Sequence, residues 1–304
     1  MQDSTSAYHV PVLYEEAIDA LNIQPNGVYV DCTFGGGGHA KGILEKLNAE
    51  GKLIAFDQDA DAQKNVLQDS RLIFVPHNFR HLQRFLKLHK HEKVNGVLAD
   101  LGVSSFQFNE AQRGFSTRFN GPLDMRMDQR TEKTAAEILM QYSELQLHKM
   151  FEQYGEVSNS KTLARHIIQQ RNTIQLTDIN AFKLMLQPIV KGNPNKYFAQ
   201  VFQALRIEVN DEMGALKEML DQLPNVLLPK ARAAIITFHS IEDRIVKNFF
   251  KQAGKDEDEH NPFSTKQKQF LFSILHKKPV TPSTEEIKKN SRARSAKLRV
   301  AEKI

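Results

Sequence analysis

The segment Val28-Tyr-Val-Asp-Cys-Thr-Phe-Gly-Gly-Gly-Gly-His39 runs from an apolar, β-branched stretch into four consecutive glycines and then into a helical pattern. Strand, glycine turn, helix is the opening of a βαβ unit, and it sets the architecture expected around it. Glycine lets the backbone turn sharply and approach a ligand closely, while the helix start beyond it offers N–H groups with no partner inside the helix. Gly35, Gly37 and Ala40 keep the spacing of the dinucleotide fingerprint, and Asp57 closes the next apolar run about twenty residues on. A carboxylate there accepts hydrogen bonds from ribose hydroxyls. The pattern reads as a site for a nucleoside-containing cofactor, NAD among the candidates, with a plain tight turn as the bland alternative. No Gly-Lys-Ser/Thr follows the glycines, which excludes a P-loop.

The alternation continues downstream. Val28–Phe34, Lys52–Asp57, Arg71–Pro76 and Val94–Leu101 are expected strands, with helices over Ile43, Leu44 and Leu47 and over Ala60–Leu67. From Phe106 to Leu205 strand signals vanish and helix signals take over. Thr134-Ala-Ala-Glu137 and Ser143-Glu-Leu-Gln146 read as capping boxes, and Leu163, Ile167, Phe182, Met185 and Leu186 recur at helical spacing. Strands return at Ala231–Phe238, Phe270–Leu275 and Ala296–Val300, with a helix start at Ser240-Ile-Glu-Asp243. The expected fold is α/β, a doubly wound, mostly parallel seven-stranded sheet formed by residues 1–105 and 206–304, interrupted by an all-helical domain at 106–205. Lys255–Glu259 and Pro279–Pro282 are expected exposed loops.

The 304 residues are 40% hydrophobic and 25% charged, enough to bury a core, and the net charge of +5 points weakly to a polyanionic partner. A single cysteine, Cys32, excludes an internal disulfide and a cysteine-rich zinc site, and in its apolar run it reads as an inert thiol. Met1–Ser6 lacks the start of a signal peptide, and no stretch reaches the ~20 apolar residues of a membrane span. A cytoplasmic protein with no membrane partner and no metal is the expectation.

In an open parallel sheet the carboxyl ends of the strands meet at one crevice. Pro76-His-Asn-Phe79 follows the third strand and Ala99-Asp-Leu-Gly-Val-Ser-Ser105 the fourth. Phe79 is suited to stack on a purine, and Asp100 to meet a polar or cationic group.

Motifs running in order over nearly the whole chain then resemble the RsmH (MraW) family, bacterial methyltransferases acting on a cytidine amine of ribosomal RNA. They are His9-Val-Pro-Val-Leu13, Asp31-Cys-Thr-Phe-Gly-Gly-Gly-Gly-His39, Asp100-Leu-Gly-Val-Ser-Ser105, Arg113-Gly-Phe-Ser116, Gly121-Pro-Leu-Asp-Met-Arg-Met-Asp128, Phe202-Gln-Ala-Leu-Arg-Ile207, Phe238-His-Ser-Ile-Glu-Asp-Arg-Ile-Val-Lys247 and Arg292-Ala-Arg-Ser-Ala-Lys-Leu-Arg299. The family often carries arginine where Gly36 stands and proline where Ser291 stands. The resemblance implies a methyltransferase sheet and S-adenosylmethionine rather than NAD, with Gly37, Gly38, His39, Asp57, Phe79, Asp100 and Gln107 lining the cofactor. It implies transfer to the exocyclic N4 amine of a cytidine in small-subunit (16S) ribosomal RNA near the decoding centre. His39 at a helix start also fits a capping or packing role.

The helical insertion follows the fourth strand, which suggests a lid or substrate platform. Arg113, Arg118, Arg126 and Arg130 enter it, and Lys277–Lys303 holds nine lysines and arginines against three glutamates. Among these, Arg113, Arg126, Arg292 and Arg294 are the substrate-binding candidates, with Phe115, Phe119 and Tyr197 as stacking aromatics. Solvated charge is the alternative for each. Methyl transfer leaves the protein mainly positioning and electrostatics to supply. Amino-methyltransferases often place Asp/Asn-Pro-Pro-aromatic after the fourth strand; here Asp100-Leu-Gly-Val stands there. Asp100, Asp124 and His239 are the catalytic candidates, Asp124 also fitting a pair with Arg126 or a turn cap. The expected partner is ribosomal RNA, within the small subunit, and a homodimer is compatible with the sequence. An NAD-dependent dehydrogenase and a non-catalytic RNA-binding assembly factor are the rival readings.

Overall fold

The structure is a computed structural model and describes residues 11–173, 176–252, 254–255 and 269–304. Three sequence expectations fall outside them: the start at Met1–Ser6, the His9-Val10 part of the first motif, and the loop residues Asp256–Glu259. The chain divides into two compact units, one of Met1–Gly102 with Ala215–Ile304, the other of Val103–Gly214. Among the described residues no helix is long and apolar enough to cross a membrane.

The first unit is built on seven strands: β1 (Val28–Asp31), β2 (Lys52–Phe56), β3 (Leu72–Val75), β4 (Val94–Asp100), β5 (Leu227–Thr237), β6 (Phe272–Ile274) and β7 (Lys297–Lys303). They lie in the order β3-β2-β1-β4-β5-β7-β6. All are parallel except β7, which runs against both β5 and β6. The doubly wound, mostly parallel sheet is therefore the fold this chain adopts. After β1 the chain builds outward through β2 and β3, then crosses back to lay β4 on the other side of β1. That reversal opens a crevice at the carboxyl ends of β1 and β4.

Alternate residues of the central strands feed opposite faces. Tyr29, Leu53, Ala55, Leu98, Ala234 and Ile236 join one core, with Ala17 and Ile18 of α1 (Tyr14–Ala20) and Ala40, Ile43 and Leu44 of α2 (Gly38–Lys46). Val30, Ile54, Phe56, Val97, Ala99 and Ile235 join the other. There they meet Leu82 and Leu86 of α3 (Leu82–Leu88), and Val246 and Phe250 of the helix Ser240–Gln252. Helices cover both faces, so the strands read as near-continuous apolar runs. Cys32 is buried, its Sγ 3.8 Å from Met219 Sδ, and burial pushes its thiol well up, as an inert packing residue requires.

Three local expectations are corrected. Ala60–Leu67 is a 3₁₀ segment only, Ala60–Asn65, capped by the Asp59 side chain. Ala62 is its one buried residue, so it has no apolar stripe to seat a full α-helix, and Val66 and Leu67 pack beyond it in the core. β5 starts at Leu227 rather than Ala231. Pro229 hides this, and the register shifts between the Val94 and Gly96 pairings, where Lys230 takes a positive φ of 66°. Phe270–Leu275 is split: Gln269–Phe270 pairs with Gly254–Lys255, and Phe272–Ile274 joins the main sheet.

The second unit contains α4 (Ser105–Asn109), α5 (Ala135–Gln141), α6 (Glu144–Gly155), α7 (Ser160–Gln170), α8 (Ile179–Leu186) and α9 (Pro194–Asn210). Helices α10 (Glu212–Val226), α11 (Ser240–Gln252) and α12 (Thr284–Lys289) complete the chain. Both capping boxes form, Thr134 with Glu137 and Ser143 with Gln146. Phe151, Leu163, Ile167, Phe182, Val201 and Leu205 make the core of this unit. The stretch before α5 also enters it through Phe115, Leu123, Met125 and Met127.

Candidate cofactor and active site

Within the first unit the candidate residues gather at one edge of the sheet. The glycine turn and His39 follow β1, Asp57 follows β2, Phe79 follows β3, and Asp100 ends β4. Gly37 caps α2 with φ 77°, a left-handed conformation that costs other L residues about 1–2 kcal/mol. A Cβ on Gly38 would run into the Pro11 ring, so the helix start lies hard against the N-terminal segment. At Gly36 an added Cβ would meet nothing within 4 Å. Asp57 accepts the Gly35 N–H at 2.7 Å through Oδ2 and the Asp59 N–H at 2.8 Å through Oδ1. It thereby ties the end of β2 to the glycine turn. Phe79 opens a 3₁₀ turn capped by Asn78 and packs against the core beneath the sheet.

The crevice itself is acidic. Asp31, 1% exposed, ends β1, and its Oδ1 accepts the Thr33 N–H at 3.0 Å while Oδ2 has no partner. Burial raises its carboxyl to about 7, helped by the charge of Asp57 and opposed by the Thr33 hydrogen bonds. Asp100 donates its backbone N–H to Thr33 Oγ1 at 2.7 Å, and its Oδ1 is buried without a partner. Burial, then the charges of Asp31 and Glu242, hold the Asp100 carboxyl well above the usual range. His39 Nδ1 lies 3.7 Å from Asp100 Oδ2. His39 is 5% exposed and stacks on Tyr14, and burial brings its imidazole down to about 4, against the Val12 backbone contact. At neutral pH it is an uncharged ring, in the packing role as well as at the site's edge.

His239 follows β5 at the start of α11. Its Nε2 lies 3.1 Å from Glu242 Oε1, and the Glu242 N–H approaches its Nδ1 at 3.4 Å. Glu242, 1% exposed, also accepts the Phe238 N–H at 2.8 Å. Nδ1 thus takes the hydrogen bond between the two neighbours, and Nε2 is buried without a hydrogen-bond partner. Because β7 runs antiparallel, its first residue Lys297 pairs with Thr237, and the 3₁₀ segment Ser291–Ser295 before it reaches the same edge as the crevice. Arg294 there is exposed and Arg292 half-buried. Lys297 and Arg299 are committed instead to Asp243, Arg299 Nε at 2.6 Å.

In the helical unit, Gln107 closes a further capping box as the third residue of α4: its Oε1 accepts the Ser104 N–H at 3.0 Å. Arg113 is 5% exposed and donates to the Arg126 and Met127 carbonyls at 3.0 and 3.2 Å. Arg126 grips Asp124 with two bonds of 2.7 Å and reaches the Thr131 carbonyl at 2.6 Å. Burial pushes the Asp124 carboxyl up, but the Arg126 bonds win and hold it below the usual range. Asn210 closes the loop, accepting from Met127 N and donating to Met125 O. The Gly121–Asp128 motif is thus a loop bound to its own unit. Phe115 and Tyr197, expected as stacking aromatics, are core residues at 7% and 2% exposure, because each meets the apolar side of the helices; Phe119 alone of the three is exposed.

The structure therefore brings Gly37, Gly38, His39, Asp57, Phe79 and Asp100 to one sheet edge, with His239, Arg292 and Arg294 along it. Gln107, Arg113, Asp124 and Arg126 belong to the other unit. Sequence reasoning gave no role to Asp31, Thr33 or Glu242. The available signal was an acid closing a strand apolar on both faces, where an ionised group is costly unless something needs it.

The MraW methylase family matches residues 6–304. The ribosomal RNA small subunit methyltransferase H of Azobacteroides pseudotrichonymphae is 50% identical over 306 residues, covering 99% of this chain and all of that protein. Proteins of the same description from Phocaeicola vulgatus and Christiangramia forsetii are 47% and 48% identical, covering 100% and 98% of both chains.

Proposed function

The chain belongs to the MraW methylase family, and on that premise we propose that it transfers a methyl group from S-adenosylmethionine to the exocyclic N4 amine of a cytidine in small-subunit (16S) ribosomal RNA. The relatives' shared description supports the class of RNA, and the motif resemblance supports the amine. One observation carries the cofactor assignment. At the switch point two carboxylates, Asp31 and the half-buried Asp100, each keep a buried oxygen without a hydrogen-bond partner. Such a lining suits a ligand bearing a sulfonium and an ammonium, and it repels the pyrophosphate of NAD. The dehydrogenase reading loses its ground there, and the family is one of enzymes rather than of assembly factors.

Bound S-adenosylmethionine supplies a methyl carbon already activated by its sulfonium. The chain's own residues have the task of placing it and the amine in line. Gly37 and Gly38 let the backbone come close, Asp57 accepts from ribose hydroxyls, and Phe79 stacks beside adenine. Gln107 is a further cofactor-binding candidate, and the helical unit serves substrate recognition. Asp100 accepts an N–H of the incoming amine, whose lone pair is otherwise delocalised into its ring, and so stabilises the charge it develops. Asp124 is held by two Arg126 bonds, while Asp100 ends β4 at the switch point with a buried oxygen that has no partner, which makes Asp100 the first candidate for chemistry. Arg292 and Arg294 meet phosphates of the RNA, while Arg113 and Arg126 shape the loop beside them in sequence. The cytoplasm is the compartment where such a substrate is met.

Single-turnover methylation at saturating cofactor tests this. Asp100→Asn should slow the saturated rate by about 10²–10⁴ beside Asp124→Asn and His239→Ala controls. A near-normal rate removes Asp100 from the chemistry. In parallel, melting should rise with S-adenosylmethionine and not with NAD.

A further inference from the structure

We propose that Asp31 and Asp100 form a proton-sharing carboxylate pair that makes the crevice selective for charge, releasing its proton as the cationic cofactor enters and regaining one as the uncharged thioether product leaves. The inference rests on the S-adenosylmethionine reading above and adds to it a residue, Asp31, and a property of binding.

The geometry places the two acids together. β1 and β4 are parallel neighbours, with Asp31 opposite Leu98 and Asp100 two residues further along. Thr33 joins them: its N–H donates to Asp31 Oδ1 at 3.0 Å, and its Oγ1 accepts the Asp100 N–H at 2.7 Å. Asp31 Oδ2 and Asp100 Oδ1 are both buried and both without a hydrogen-bond partner. The groups that face the pair add no positive charge. His39 from α2 is a neutral ring 3.7 Å from Asp100, Asp57 at the end of β2 bears on Asp31, and Glu242 from α11 bears on Asp100. Among the described residues, neither Asp31 nor Asp100 makes an ion pair with lysine or arginine. With Asp31 buried, Asp100 half-buried and the Asp31 charge bearing on Asp100, the two do not both ionise readily, and one proton stays on the pair until a positive charge arrives.

S-adenosylmethionine brings that charge, with a net charge one unit more positive than the product S-adenosylhomocysteine. Entry of the cation favours the doubly ionised pair, and a carboxylic O–H breaks with its proton passing to solvent. Once the methyl has passed to the amine, the nitrogen gives up one N–H proton, and the pair, then facing a neutral thioether, takes up that proton or one from solvent and weakens its hold. The same crevice then binds the reactant more tightly than the product, which favours turnover.

Titration calorimetry of the full chain, run in phosphate and in Tris, reads the proton directly. Binding of S-adenosylmethionine at pH 6–7 should give buffer-dependent heats corresponding to proton release, fading at higher pH as the pair ionises without the ligand. S-adenosylhomocysteine should show little or none. Asp31→Asn keeps the Thr33 contact; it should abolish the release and narrow the reactant-to-product affinity ratio about tenfold. Buffer-independent heats for the wild-type chain with both ligands overturn the proposal while leaving the cofactor reading intact, whether or not the variant folds. An unchanged ratio in a folded Asp31→Asn overturns it equally. Failure of S-adenosylmethionine to bind at all overturns both.

Discussion

His39 and Asp31, neighbours in the same crevice, pull stability in opposite directions as pH changes. Burial lowers the His39 imidazole to about 4, so the folded chain binds fewer protons than the unfolded one, and stability is lost as pH falls from about 6.5 to about 4. Burial raises the Asp31 carboxyl to about 7, so the folded chain holds a proton the unfolded chain gives up near 4. Its contribution is present at low pH and lost as pH rises from about 4 to about 7. In the wild-type chain the two slopes oppose each other. Asp31→Asn should expose the first, destabilising the variant by up to about 3 kcal/mol between pH 6.5 and 4. His39→Gln should expose the second, with stability falling toward pH 7. Urea unfolding across this range checks both, and two parallel flat profiles would contradict the burial argument. Asp57, Phe79 and Asp100 were legible because polar or aromatic residues closing apolar strands break the pattern. Asp31 did the same, but only the three-dimensional partners show that its oxygen is left over. Phe115 and Tyr197 misled for the converse reason: an aromatic beside an arginine reads alike whether it faces the core or solvent.

Short helices of the second unit are set by their first turns. Thr134/Glu137 and Ser143/Gln146 were legible because a capping box is a local signal, written in four residues and indifferent to tertiary context. The third, Ser104/Gln107, was missed, since Gln107 reads equally well as a ligand residue. Ser143→Ala should lower stability by about 1 kcal/mol with cofactor affinity unaltered. Gln107→Ala should cost a similar amount by removing the acceptor of the Ser104 N–H, and should also weaken cofactor binding. Denaturant midpoints and calorimetry separate the two, and equal cofactor affinity in both variants would confine Gln107 to its cap. Ala60–Leu67 and the start of β5 resisted reading on physical grounds. One depends on how much apolar face a turn can bury, the other on a bulge whose positive φ falls on a lysine.

Across the whole chain, the sheet order and the two-unit division follow from a strand–helix alternation that stops and resumes, and that rhythm is visible without coordinates. How basic residues divide between partners is not. Of the C-terminal cluster, Lys297 and Arg299 hold Asp243, while Arg294 stands exposed at the crevice edge beside Arg292. Replacing Arg292 and Arg294 together should reduce the salt dependence of RNA binding by roughly one to two units of slope, whereas Arg299→Ala should act on stability instead. An unaltered slope would place the RNA elsewhere. The function as a whole is tested most directly by the product. Small ribosomal subunits from a strain lacking this protein, incubated with the purified chain and methyl-labelled S-adenosylmethionine, should carry the label on one cytidine of the 16S RNA as an N4-methyl group in nucleoside mass spectrometry. Label on a ring carbon, on large-subunit RNA, or on no nucleotide although the cofactor binds would contradict the account.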